Sequence, residues 1–348
     1  MDLIPTLPLA ANAVLFAALA AAIWFAGTRL SLLADAIGDK TGVGQAIMGL
    51  IFLAAITELP ELVTTAAAAL KGNAALALNN MFGGIAMQTA ILAVADASVL
   101  HVTLTSFPRK STPVLEAALL ILLLAAILAV SAVGDVALVG WVGAGVVLFA
   151  VLYGAAIAVL DRYDTAHPWR PIDLPGTDET VIPASEKGLR ARRLRILAAE
   201  SCAIAVVILV CGVTLVEVCE DLAAQTGLGS SFIGATLLAT TTSLPELSTT
   251  IAAARMGAYT MAISNIFGSN MIMVLVLFPA DIFYRDGLIL DEIDGTARLA
   301  LIAGILVTAI YMIGLLVRRK PRLLGIGPDS LLVLIVYAAS VWGFYQMR

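Results

Sequence analysis

The chain has 348 residues, 61% of them apolar and 13% charged, with a formal net charge of −5. Soluble domains run at about 45–50% apolar and about 25% charged and still have to face water, so a soluble globular protein is excluded. Disorder, a disulfide scaffold (the cysteines are Cys202, Cys211 and Cys219) and a basic nucleic-acid binder are excluded with it.

What remains is an all-α polytopic membrane protein. Ten apolar runs approach the roughly 20 residues that cross a bilayer. In chain order they lie near 9–30, 44–70, 74–98, 112–132, 136–160, 194–218, 229–255, 258–283, 297–317 and 328–346. Residues Met1 to Pro8 carry no basic side chain, so they do not read as a cleaved signal peptide, and the first span is expected to stay. With the N-terminus outside, 16 of the 20 Lys and Arg residues fall on the inner side, the bias expected of cytoplasmic loops. Lys71, Arg285, Arg298 and Arg348 are the four outside. The expected location is a prokaryotic inner membrane, crossed many times. The expected units are 1–160 with spans one to five, a proline-containing cytoplasmic linker at 161–193, and 194–348 with spans six to ten.

Sliding the chain by 185 residues aligns 44–96 with 229–281, with 22 of 53 positions identical. An Ala- and Leu-rich sequence produces some chance identity. It does not produce the shared T-x-L-P-E-L-x-T-T, the N-x-F-G and the terminal Ala-Asp, which are polar or helix-breaking. Each copy sits in a half of five spans, an odd number, so the copies enter the membrane with opposite orientation. Inverted repeats of this kind build many secondary transporters, with the substrate near the midplane between the copies.

Glu61 and Glu246 are the paired acids of the repeat. An ionised acid within a span costs about 2.5–3.5 kcal/mol on insertion scales and marks a cavity or ion path. Pro60 and Pro245 precede them, and proline frees the carbonyl four residues earlier and kinks the helix. Carboxylates with freed carbonyls are hard oxygen ligands, suited to calcium or sodium. Thr57 and Thr242, four residues before each Glu, share its helical face and can add hydroxyls. Asn79, Asn80, Ser264, Asn265, Ser269 and Asn270 in the following spans can complete a cation shell or bond across helices. Gly83, Gly84 and Gly268 read as close-approach positions, and the cysteines as packing. Glu58, three residues before Glu61, has Ser243 as its counterpart. Three acids in one cavity repel one another, so one of them is expected to hold a proton. Asp96, Asp281, Glu217, Glu220 and Asp221 read as span-end or interfacial acids. Glu116 and Glu200, near inner helix ends, are expected to reach water or an arginine.

Two inverted repeats with T-S-L-P-E-L and a downstream G-S-N resemble the calcium/cation antiporter superfamily, the sodium/calcium exchangers in particular. The repeats cover about 106 of the 348 residues. The resemblance implies that Glu61 and Glu246 bind calcium, helped by Thr57, Thr242 and the backbone carbonyls of Ala54 and Ala239. It also implies that spans one and six slide as a pair against the rest. This sequence departs from the pattern in three places. Glu58 stands where the family usually has Ser, and the first repeat reads Gly83, Gly84, Ile85 in place of G-S-N. Gln88 and Met273 stand where Asn or Asp is usual, and Met273 is no hard ligand.

The expected activity is antiport of calcium against sodium by alternating access, since an empty site would leave uncompensated charge in a low-dielectric cavity. Proton-coupled exchange is the alternative, and a passive cation channel a further one. No nucleophile–base set, zinc motif or nucleotide loop suggests an enzyme. No resident cofactor is expected. The expected partners are inorganic cations and the lipid bilayer, with no nucleic acid and no obligate protein partner.

Overall fold

The computed structural model describes residues 7–41, 58–97, 103–108, 110–166, 189, 191–255, 259–318 and 325–348. The first half contains α1 (Leu9–Thr41), α2 (Leu59–Leu70), α3 (Ala74–Asp96), α4 (Thr112–Val133) and α5 (Ala144–Ala166). The second contains α6 (Leu194–Thr226), the segmented α7 (229–242), α8 (Leu244–Arg255), α9 (Tyr259–Phe283), α10 (Gly295–Val317) and α11 (Pro328–Gln346). Eight of these helices are long and apolar enough to cross a membrane: α1, α3, α4, α5, α6, α9, α10 and α11. The two remaining predicted spans, 44–70 and 229–255, are the ones that carry the paired glutamates, and 42–57 lies outside the described residues.

The offset of 185 extends well beyond the sequence repeat. It carries α1 onto α6, α2 onto α8, and the start of α3 onto the start of α9. Both α1 and α6 have 33 residues, about 50 Å at 1.5 Å per residue, so each overreaches the hydrocarbon core of about 30 Å. They pack against each other, and each also touches the glutamate helix of the opposite half, α1 against α8 and α6 against α2. The two crossings run through glycines related by the same offset. A Cβ on Gly27 would collide with the Pro245 ring, and one on Gly212 would lie 2.8 Å from Val63 Cγ1. Across one end of the pair Arg29 donates to Glu200 from Nε (2.8 Å) and Nη2 (2.6 Å), and Arg192 adds a third bond at 3.0 Å. Towards the opposite end Asn12 donates to Asp221 and Gln225 to the Leu7 carbonyl.

Most enclosed are α3 and α9, which pack on α10 and on α4 and α5 respectively. Their last-turn acids, Asp96 and Asp281, are fully buried and do not reach water as span-end residues would. Asp96 accepts from the amides of Leu104 (2.5 Å) and Gly327 (2.6 Å). Asp281 accepts from those of Ile289 (2.9 Å) and Gly143 (2.8 Å). Each carboxylate thus holds its own loop, eight residues on, and the chain entering the last helix of the other half.

Three expectations need correction. The fifth span begins at Ala144, because 137–143 forms a two-stranded antiparallel ribbon turning at Gly140, whose φ of +61° suits glycine. Asp135 Oδ1 fixes this entry by accepting from the Val136 and Gly145 amides, both at 2.8 Å. Cys202 is exposed rather than packed; Cys219 alone of the three is buried. The stretch expected as a linker from 161 remains helical to Ala166, and 167–188 lies outside the described residues.

Candidate cation site

α2 begins just after Glu58, and α7 gives way to α8 at Ser243, each two residues before a proline. Glu58, before α2, has φ −81° and ψ 10°, and Ser243, before α8, has φ −86° and ψ 4°. Their carbonyls accept from Leu62 (3.0 Å) and Leu247 (3.1 Å). Thr64 then returns its hydroxyl to the Pro60 and Glu61 carbonyls, as Thr249 does to those of Pro245 and Glu246. The two breaks are therefore one local structure made twice. Upstream of the second, Gly234–Leu238 is π-helical, a widening that often accompanies functional sites. α3 crosses this segment closely, since a Cβ on Gly83 would lie 2.6 Å from Ala235 Cα and one on Gly234 2.9 Å from the Leu76 carbonyl.

The breaks bring Glu61, Glu246 and Glu58 into one buried region, at 0%, 2% and 1% exposure. Glu61 lies within electrostatic reach of Glu246 and Glu58, and Glu246 of Glu58. Among the described residues neither oxygen of Glu58 or Glu61, nor Oε2 of Glu246, has a hydrogen-bond partner. Buried carboxylate oxygens left bare are rare, because desolvating a charge without a partner is costly. This is the arrangement a cation would complete. Although they share this region, the three glutamates do not close into a single metal-holding group, and no other three His, Cys, Asp or Glu side chains among the described residues do. A cation between Glu61 and Glu246 would accordingly draw its other ligands from neutral oxygens.

The neutral candidates divide. Thr242 faces Glu61 of the opposite repeat, while its hydroxyl bonds the Leu238 and Ala239 carbonyls at 3.2 and 3.3 Å. The Ala239 carbonyl also accepts from Ser243 N–H, so it is already engaged. Gln88 and Ser269 face Glu58, with all their polar side-chain atoms unbonded among the described residues. Ser243 is buried with a bare hydroxyl. Thr57 and Ala54 lie outside the described residues. Asn80 and Asn270 spend their amide donors across helices, on Thr64 and Thr65 and on Thr89, and keep bare carbonyl oxygens. Asn79 points elsewhere, to Asp294 at the start of α10, a carboxylate that Ser231 also bonds. Of the three glycines, Gly83 is a backbone crossing, Gly84 meets only the tip of Met273, and Gly268 has nothing described within 4 Å.

Sequence reasoning missed the polar network where α2 ends. Lys71, which caps α2, bridges Glu217 (3.2 Å) and Glu220 (3.1 Å) on α6, and Asn73 also donates to Glu220. Burial works against the Lys71 charge, but Glu220 and Glu217 outweigh it and hold the ammonium above its usual range. A cleft of 420 Å³ lies here, lined by Lys71, Asn73, Glu220, Tyr284 and Glu292 among others. The signal available in sequence was an outer lysine facing a helix end with three acids.

A polytopic membrane protein of two inverted five-helix halves, each presenting a glutamate at a helix break to a shared buried region, is the class that fold and site define. The chain belongs to the sodium/calcium exchanger protein family, whose model matches residues 11–160 and 199–346. A 59-residue stretch is 44% identical to the sodium/calcium exchanger MaX1 of Methanosarcina acetivorans, covering 17% of this chain and 17% of that protein. Among solved structures the fold resembles the H+/Ca2+ exchanger CAX, with a TM-score of 0.67 at 13% identity, over 97% of this chain and 85% of that one. Native YfkE gives 0.64 at 17% identity, over 96% and 93%. The sodium-calcium exchanger NCX_Mj, soaked with Na+ and Sr2+, gives 0.58 at 15%, over 95% and 97%.

Proposed function

We propose that the protein is a secondary antiporter that carries calcium between Glu61 and Glu246 and returns sodium by alternating access. The observation that carries this reading is the pair of buried carboxylates, one from each inverted copy, with oxygens left bare. Two carboxylates neutralise one divalent cation. Unloaded, the same pair would leave mutually repelling charge in a low-dielectric region, so the empty carrier would switch slowly and exchange becomes obligatory. The family membership and the exchanger folds support the same reading. The long α1–α6 pair, touching both glutamate helices through Gly27 and Gly212, suits a unit that moves against the remaining helices.

Proton-coupled calcium exchange is the second reading, favoured by the third acid, Glu58, which no described basic residue bonds. Calcium uptake into proteoliposomes under imposed sodium or pH gradients separates the two. Uptake driven by sodium supports the first reading, and uptake driven by pH alone selects the second. Flux indifferent to both gradients, with single-channel currents, would replace antiport by a passive channel. In the cell we place the protein in a prokaryotic inner membrane with its N-terminus outside, following the distribution of Lys and Arg.

A further inference from the structure

Residues 136–142, between α4 and α5, read V-A-L-V-G-W-V without one polar side chain, and form the ribbon that turns at Gly140. The ribbon is fixed at its base. Asp135 and Asp281 accept from the Val136 and Gly143 amides, and the Trp141 indole donates to the Ile282 carbonyl at 3.1 Å. Beyond the base its side chains find no cover. Val136 is 70% exposed and Val139 74%, and Leu138 is exposed with them, as is Val133 in the last turn of α4. Water is a poor surrounding for such a patch, because contiguous exposed apolar surface marks a place of contact. Hydrocarbon is a poor one as well. Each strand pairs only with the other among the described residues, so both outer edges carry backbone groups that need a polar partner. One surrounding meets both demands: the interfacial layer of a bilayer, with acyl chains on one side and hydrated headgroups on the other. Trp141 has the form of a residue of that layer, an apolar ring with its N–H engaged. The exposed Arg285 places its guanidinium 4.4 Å from the centroid of that ring, where it can meet a lipid phosphate.

We propose that the 136–142 ribbon lies in the interfacial layer of the membrane and, with Arg285, binds phospholipid at the level of the headgroups. It anchors the joined ends of α4, α5 and α9 at one membrane surface, and it does so whichever cation is exchanged between the glutamates. Lipid rather than a second copy of the chain covers it, because the patch continues the exposed apolar faces of the flanking helices, marked by Leu122 on α4 and Val151 on α5, without a change of chemistry.

The test uses the full-length protein in vesicles of phosphatidylcholine and phosphatidylglycerol, with Trp24→Phe, Trp169→Phe and Trp342→Phe combined so that Trp141 is the one tryptophan left. Its fluorescence is read with lipids brominated either near the headgroup or near the chain ends, and with iodide in the water. Shallow bromines are expected to remove most of the emission, and deep bromines and iodide much less. Adding Leu138→Asn and Val139→Asn should lift the ribbon out, so that the shallow quenching is lost and the iodide quenching rises. Where the combined tryptophan variant fails to fold, the difference between the wild type and Trp141→Phe gives the same readout. Emission indifferent to both bromine positions and quenched by iodide would put the ribbon in water and overturn the proposal. Quenching strongest at the chain ends would overturn it by placing the ribbon in the hydrocarbon. Emission that changes as the protein is diluted with lipid would overturn it in favour of a second copy of the chain.

Discussion

At the helix breaks Glu58 and Ser243 share their backbone angles, and beyond them Asp96 and Asp281 make matching pairs of amide bonds in opposite halves. Thr64 and Thr249 satisfy equivalent carbonyls in the same way. Against this duplicated scaffold, the residues beside the paired glutamates have diverged: Glu58 against Ser243, Gln88 against Met273, Gly84 against Ser269. The difference separates two kinds of constraint. Positions that close backbone hydrogen bonds in a membrane have no alternative partner in lipid, so both copies keep them. Positions that we propose furnish the ion path are free to specialise, so long as one acid from each copy remains.

The largest effect that would break this division concerns the acids kept in both halves. Glu61→Gln and Glu246→Gln should each weaken calcium binding and exchange at least about 100-fold, since removing one member of a buried charge arrangement costs about 3–5 kcal/mol. Isotope flux in proteoliposomes checks it, and a variant that still transports would show that one half suffices. Next come the scaffold acids. Asp96→Asn and Asp281→Asn should lower the unfolding temperature in detergent by similar amounts, because each weakens two charge-assisted bonds worth about 1.5–3 kcal/mol. Unequal losses would mean that the two brackets are not equivalent. Within α3 the comparison tightens to neighbouring residues. Gly83→Ala meets the Ala235 backbone and should cost about 1–3 kcal/mol, whereas Gly84→Ala meets only the flexible tip of Met273 and should cost less.

The smallest expected effect lies at the Lys71 bridge. The folded-state pKa of Lys71 is raised, so its bridge to Glu217 and Glu220 contributes fully below the unfolded lysine value of about 10.5 and is lost as pH rises through the folded value. Lys71→Met should therefore destabilise the protein by up to about 1 kcal/mol at neutral pH, and the difference from wild type should vanish at strongly alkaline pH. Unfolding temperatures of the two proteins across pH check both parts.

The membrane-spanning helices were legible because lipid leaves few readings open, and eight of the predicted apolar runs are helices long enough to cross; the glutamate pair stood out because an acid inside such a run is costly. The break at Ser243 could be anticipated from Pro245, which disrupts a continuous helix. The π-helical turn at Gly234–Leu238 could not, since no residue there forbids an ordinary helix. Asp96 and Asp281 read only as span-end acids because their partners, Gly327 and Gly143, are far away in sequence. For Asn80 and Asn270, ligation and packing weigh alike until the donors are seen to reach Thr64, Thr65 and Thr89. Met273 was recognisable as a poor ligand. That it fills the space beside Gly84 depends on how α3 and α9 face each other, which a single sequence does not encode.

That two inverted copies each give one carboxylate to a single shared ion is tested most directly by counting. Equilibrium dialysis of the purified protein against radiolabelled calcium should find one high-affinity ion per chain, abolished by Glu61→Gln alone and by Glu246→Gln alone. Two ions per chain, or half of the binding surviving in each single variant, would mean that the copies hold separate sites and would contradict the account.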